Sequence, residues 1–188
     1  MGKKTSSISK SHRSFIESQQ IWFVATSAPG ARINLSPKGL DSLRILNENQ
    51  VIWLNLVGSG NETAAHLLED DRMTLMFCSF DKNPMILRLY GHANAIHPGD
   101  AGWDEAIAQF DHLDGARQLI DMHVDLTHTS CGFGIPLFEF KGKRDSLPKW
   151  INKRGEDGLR AYQLKNNITS LDGRPTGLQL ENSDLHND

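Results

Sequence analysis

Short apolar runs bracketed by turn residues recur through the first half of the chain. Residues 21–27 (IWFVATS), 51–57 (VIWLNLV) and 72–80 (RMTLMFCSF) are rich in β-branched and aromatic side chains and read as strands. Residues 32–35 (RINL) alternate and form a returning strand after the Ala28-Pro29-Gly30 turn, until Ser36-Pro37-Lys38-Gly39 breaks it. Residues 43–46 add a short strand, and residues 85–97 (MILRLYGHANAIH) a long one, with Gly91 marking a bulge or a close approach of backbone. Within this series the pattern reads as helical only over residues 61–69, after Gly58-Ser59-Gly60. Parallel strands would need a crossover between every pair. The pattern therefore predicts about five or six antiparallel strands in a closed or partly closed barrel over residues 21–97.

The flanking segments are more polar. Residues 9–19 and the amphipathic stretch 100–110 (DAGWDEAIAQF) read as helices. Residues 117–129 end in an alternating tail, and residues 137–141 (LFEFK) read as a last short strand. Residues 147–165 read as helical with breaks at Gly155 and Gly158. The expected organisation is a disordered N-terminus (1–8), a barrel domain (9–141), a helical extension (142–165) and a flexible tail (166–188).

Composition narrows the function classes. The chain of 188 residues is 38% hydrophobic and 23% charged, a balance that supports one buried core. Its formal net charge is -3 and it has no long like-charge block, so no electrostatic footprint for nucleic acid is present. A phosphate-bearing ligand would have to be held by local donors. No apolar run reaches membrane-spanning length, and the polar start MGKKTSSISKSHRS lacks the apolar core of a secretory signal, so a cytoplasmic location is expected. Cys78 lies in an apolar run and Cys131 in a glycine-rich loop, which is no disulfide framework; a tight structural loop is the favoured reading at Cys131. His123 and Asp125 share a face of a strand but supply only half a metal site, so no metal is expected.

Three segments carry a resemblance: Arg32-Ile33-Asn34-Leu35-Ser36-Pro37-Lys38-Gly39, the stretch from Asn55 to Leu67, and Ile86-Leu87-Arg88-Leu89-Tyr90-Gly91-His92-Ala93. In order and spacing they resemble the pyridoxamine 5'-phosphate oxidase-like FMN-binding split β-barrels, over residues 15–141. The run from Thr129 to Pro136, with Lys143-Arg144-Asp145 and Trp150, resembles an uncharacterised bacterial branch of that family. The resemblance implies a mainly β, antiparallel split barrel with peripheral helices. It also implies a homodimer with FMN at the subunit interface. The backbone of Arg32, Ile33, Asn34, Leu35 and Ser36 would follow the isoalloxazine ring, and the segment from Ser59 through Asn61 and Thr63 to His66 would receive the phosphate. Asn55 opens that segment, and Arg88 lies on the strand lining the same groove.

The residues depart from the family pattern in an informative way. Where the family shows Ser-x-Lys-x-x-Asn-Leu, this chain reads Asn61-x-Thr63-x-x-His66-Leu67. With the lysine missing, Lys38 or Arg88 has to supply the positive charge, and Thr63→Lys is expected to tighten FMN binding. Each position also has a plainer reading. Ser59-Gly60-Asn61-Glu62 is a capping box by pattern, Lys38 is a solvated turn lysine, and Arg88 is an exterior strand residue alternating with Leu87 and Leu89. Ile86 replaces the family's glutamine and no Arg-x-His occurs, so pyridoxamine 5'-phosphate oxidation itself is not expected. The implied function is an FMN-dependent oxidoreductase acting on a small-molecule redox substrate, with the chemistry in the flavin and no catalytic side chain. The alternatives are a non-catalytic flavin or haem-type binding module on the same barrel, and a dimeric scaffold without cofactor.

Overall fold

The indole rings of Trp22 and Trp53 meet edge to face, 5.4 Å between centroids, although they come from distant strands of one sheet. The computed structural model describes residues 2–110 and 115–180. Its strands are β1 (Lys3–Thr5), β2 (Trp22–Thr26), β3 (Asn34–Lys38), β4 (Leu43–Asn47), β5 (Gln50–Leu56), β6 (Arg72–Cys78), β7 (Met85–Ile96) and β8 (Ala116–Cys131). Its helices are α1 (Lys10–Ser18), α2 (Glu62–Leu67), α3 (Trp103–Ile107) and α4 (Ser146–Asn166). The sheet is antiparallel and ordered β3–β2–β6–β7–β8–β5–β4, with β1 on the remaining edge of β8. Contact between β2 and β5, with β6, β7 and β8 between them in that order, means that the sheet curls onto itself. β3 and β4 are unpaired with each other at the two ends, which leaves the barrel split there.

Alternation along the strands fills the interior. Val51 and Trp53 of β5, Leu75 and Phe77 of β6, Leu87 and Leu89 of β7, and Ile120 and Met122 of β8 belong to one buried cluster. The intervening Ile52, Leu54 and Leu119 form a second cluster on the outer face, packed against Trp103 and Ile107 of α3 and against Phe110. β5 is therefore buried on both faces, which is why its sequence is an almost unbroken apolar run.

The barrel is mainly antiparallel strand with few helices, as the hydrophobic pattern predicts. Several local expectations need correction. β3 runs through Pro37, which sits opposite Phe23. β3 pairs only with β2, and an edge strand tolerates a residue without an N–H. Residues 137–141 form no strand despite their alternation. β8 already has β7 on one edge and β1 on the other at that end, so this segment instead packs Phe138 on Phe80, 5.4 Å between centroids. The N-terminal residues, expected to be disordered, supply β1 and the buried Ile8. The expected helix over 100–110 is confined to α3. α4 breaks at Gly155, whose φ of 65° favours glycine, and not at Gly158. The segment after α4, expected to be flexible, folds back through a Thr169–Pro175 bridge and buries Thr176 and Leu178; residues 181–188 lie outside the described residues.

Gly91 meets the sequence expectation of a close approach. The register between β7 and β8 shifts there, and a Cβ at Gly91 would lie 1.8 Å from the carbonyl oxygen of His123. Gly91→Ala is expected to lower stability by about 2 kcal/mol or more, through forced backbone displacement. Gly134→Ala, where a Cβ meets open space, should stay within about 0.5 kcal/mol. Urea denaturation of both variants checks the contrast.

Candidate functional site

Alternation along β3 puts Asn34, Ser36 and Lys38 on one side and leaves Leu35 and Pro37 exposed on the other. Ser36 and Lys38 open onto a cavity of about 770 Å³ between β3 and the end of β5. The turn Gly58-Ser59-Gly60 after β5, Glu62 and Arg117 also line it, and residues 140–147 contribute Phe140, Lys143 and Arg144. A cavity of this size falls in the small-molecule range of about 300–1,000 Å³.

Arg117 enters the site through a β-bulge. Asn55 pairs with Gln118 and Leu56 with Ala116, so Arg117 is the extra residue of β8 between them. Bulges commonly re-aim one side chain out of the alternating pattern. Arg117 is only 3% exposed. Its guanidinium donates to the Gly60 carbonyl at 2.8 Å, and its Nε has no partner among the described residues. Burial lowers its pKa to about 10, opposed by the fields of Glu62 and Tyr162. The Lys38 ammonium donates to Asn55 Oδ1 at 3.2 Å and stands 4.9 Å over the centroid of the Trp53 ring. Burial first, and the neighbouring Arg117 second, lower its pKa to about 8, while Glu62 acts in the opposite direction. Glu62 accepts from the Leu171 amide at 3.2 Å, and among the described residues neither cation has a carboxylate within salt-bridge distance. Two partly desolvated cations share one cavity with a single carboxylate, Glu62, that makes a salt bridge to neither, an arrangement suited to a bound anion.

Behind the cavity the polar side chains form two networks. Asn55 Nδ2 and Gln118 Nε2 both donate to Asn61 Oδ1, at 3.4 and 2.8 Å. Asn34 Nδ2 donates to Thr26 Oγ1 and Thr63 Oγ1, each at 3.1 Å, and the fully buried His66 bonds Thr26 Oγ1 through Nδ1 at 3.1 Å. His66 Nε2 has no partner among the described residues.

Of the sequence-predicted residues, the structure brings Ser36, Lys38 and Ser59 to the cavity, with Asn55 and Asn61 directly behind them. Asn34, Thr63 and His66 form the adjoining buried network. Arg32 reaches away and pairs with Asp172, while Ile33 and Leu35 are 80% and 64% exposed. Arg88 bonds Ser130 Oγ at 3.1 Å and does not line this cavity. Ser59 is not the helix cap either; the N-cap residue is Asn61, with no side-chain cap bond. Sequence reasoning missed Arg117. Arg117 is a charged residue at the head of an apolar run (ARQLI), but its aim at the cavity is set by the bulge.

The structure reverses the expected effect of Thr63→Lys. Thr63 is buried and accepts from Asn34, so a lysine there would place an ammonium in a buried network without a carboxylate, away from the residues lining the cavity. Thr63→Lys is expected to destabilise the protein by about 3 kcal/mol or more, in the range for burying an unpaired charge, without gain in anion affinity. Thermal unfolding with and without FMN checks this.

The fold and the cavity together define a split β-barrel with a pocket lined by two partly desolvated cations. The chain belongs to the pyridoxamine 5'-phosphate oxidase family, whose model matches residues 8–131. It is 35% identical over 190 residues to the pyridoxamine 5'-phosphate oxidase family protein ustO of Aspergillus flavus, an alignment covering 90% of this chain and 75% of that one. Among solved structures it resembles a histidine-to-alanine variant of HupZ of Group A Streptococcus, with a TM-score of 0.52 at 17% identity, covering 65% of this chain and 99% of the other. It also resembles a candidate pyridoxamine 5'-phosphate oxidase of Lactobacillus delbrueckii, with a TM-score of 0.53 at 12% identity, covering 65% and 94%. Proteins described as FMN-binding, FAD-binding and haem-storing occur among the solved neighbours too. Among the described residues no helix is long and apolar enough to cross a membrane.

Proposed function

We propose that this protein binds FMN, with the phosphate held by Lys38, Arg117 and Ser59, and acts as a flavin-dependent oxidoreductase on a small-molecule redox substrate. The observation that carries this reading is the pair of cations, half-buried Lys38 and buried Arg117, neither in a salt bridge among the described residues, in a cavity large enough for a cofactor. FMN, when bound, supplies the electron-accepting and electron-donating ring. The chain's own residues bind and orient it. Arg117 is held in place by the Gly60 carbonyl, and Lys38 by Asn55 and the face of Trp53. Ser36 donates to Asn34 Oδ1 at 2.8 Å, which anchors the middle of β3 beside the cavity.

A homodimer belongs to the same reading. Ile33, Leu35, Phe133 and Phe138 are exposed apolar side chains on one chain alone, with Phe133 at 83%. Soluble monomers rarely leave many large apolar groups uncovered together. Covering them with a second copy would bring the subunit interface to the outer side of β3, next to the ligand strand.

The pKa of Lys38 gives the test its sign. A bound anion favours the protonated amine, so binding takes up a proton wherever free Lys38 is neutral. FMN affinity is expected to fall as pH rises above about 8, by up to about tenfold per pH unit. Lys38→Met should bind more weakly at pH 7 and lose the fall between pH 8 and 9, below the range in which Arg117 titrates. Fluorescence titration with FMN measures both, and bleaching of the flavin by dithionite with reoxidation by an added acceptor checks turnover. A haem-type spectrum of the purified protein would assign the non-catalytic module instead. A protein that binds no FMN at any pH would exclude the flavin reading.

A further inference from the structure

The turn that lines the cavity is fastened from behind by the segment that follows α4. Asn167, fully buried at the C-terminal cap of α4, donates from Nδ2 to the Gly58 carbonyl at 2.9 Å. Its own carbonyl accepts from Asn61 Nδ2 at 3.1 Å and from Thr176 Oγ1 at 2.7 Å. One residue therefore grips both ends of the Gly58–Asn61 turn. Arg117 holds the middle through the Gly60 carbonyl. In a trans peptide the C=O and the following N–H point to opposite sides. With the Gly58 carbonyl drawn to Asn167, the Ser59 N–H is turned away from it.

The same contacts lead into the cavity. Asn61 Oδ1 accepts from Asn55 Nδ2, and Asn55 Oδ1 accepts from the Lys38 ammonium. A continuous line of hydrogen bonds thus joins Thr176 and Asn167 to the cation that faces the ligand. The segment is tied down further along its length. The Leu171 amide donates to Glu62, Asp172 pairs with Arg32, and Arg174 pairs with Glu69.

We propose that residues 167–178 are a positioning element, acting through Asn167, that sets the shape of the Gly58–Asn61 turn and the aim of Lys38. Docking of this segment and occupancy of the cavity then strengthen each other, because coupling between two sites is reciprocal. The identity of the ligand in this proposal rests on the flavin reading above; the positioning does not.

The test compares FMN with riboflavin, which lacks the phosphate, on the full chain and on Asn167→Ala and Thr176→Val. Asn167→Ala removes the bond to the Gly58 carbonyl, and Thr176→Val removes the bond to the Asn167 carbonyl together with the longer one from the Leu178 amide. FMN affinity is expected to fall about tenfold in Asn167→Ala, with riboflavin affinity changing by less than about twofold. Thr176→Val should show the same selectivity loss to a smaller degree and guards against a misfolded Asn167 variant. Equal loss for both flavins, or no loss, would overturn the proposal. If the unaltered protein binds neither flavin, the flavin reading fails alone. Amide hydrogen exchange at Ser59 and Asn61 then decides, faster in both variants if Asn167 holds the turn and unchanged if it does not.

Discussion

Two positive charges kept partly out of water around one cavity are the constraint around which this site is organised. Burying a charge is costly unless dipoles or opposite charge compensate it. Lys38 and Arg117 receive dipoles, from the Asn55 side chain, the Gly60 carbonyl and the face of Trp53. Glu62 lowers the local charge from a distance but is engaged with the Leu171 amide. The remaining imbalance is local and positive, although the chain as a whole carries a net charge of -3. Net charge governs long-range steering, while a cavity of this depth answers to the groups that line it.

The split in the barrel explains where those charges are found. A fully closed sheet would have placed β3 against β4 and left no room between them. Here the unpaired ends leave β3 as an edge, and its alternation delivers Ser36 and Lys38 to the gap. From the other side, pairing of β5 with β8 delivers Gln118 to the buried turn and, by the bulge at Arg117, the guanidinium to the cavity. The cation on β3 comes from ordinary strand alternation and the one on β8 from a break in it.

That difference also sets how far the sequence could be read. The strands, the Gly91 approach and a closed or partly closed barrel were legible because each rests on local patterning: apolar alternation, turn residues, or a glycine where another backbone presses; the split itself came from the family resemblance. Lys38, Ser36 and Ser59 were singled out through the family resemblance, whereas their local pattern alone reads as a solvated turn lysine and a helix cap. Arg117 was not, because a bulge is a property of two strands paired with each other, and one sequence without its register does not show it. The polar composition of residues 167–178 reads as a tail, since it lacks the apolar groups that normally anchor a segment. In the structure its anchor is polar: side-chain amides and hydroxyls satisfying the carbonyls of a turn.

The missing lysine of the family motif is resolved by the same geometry. The position it would occupy, Thr63, is turned into the network of Thr26, Asn34 and His66, where a hydroxyl completes a bond to Asn34 and an ammonium would find no counter-charge. A positive charge at that position of α2 is thus incompatible with this interior. A charge on the facing strand is compatible, because Arg117 approaches across the turn and donates to the Gly60 carbonyl. Moving the charge from helix to strand has a structural consequence. The arginine then depends on the turn it clamps, and the turn depends on Asn167. A short loop without a cation of its own is therefore shaped by β8 on one side and the C-terminal segment on the other.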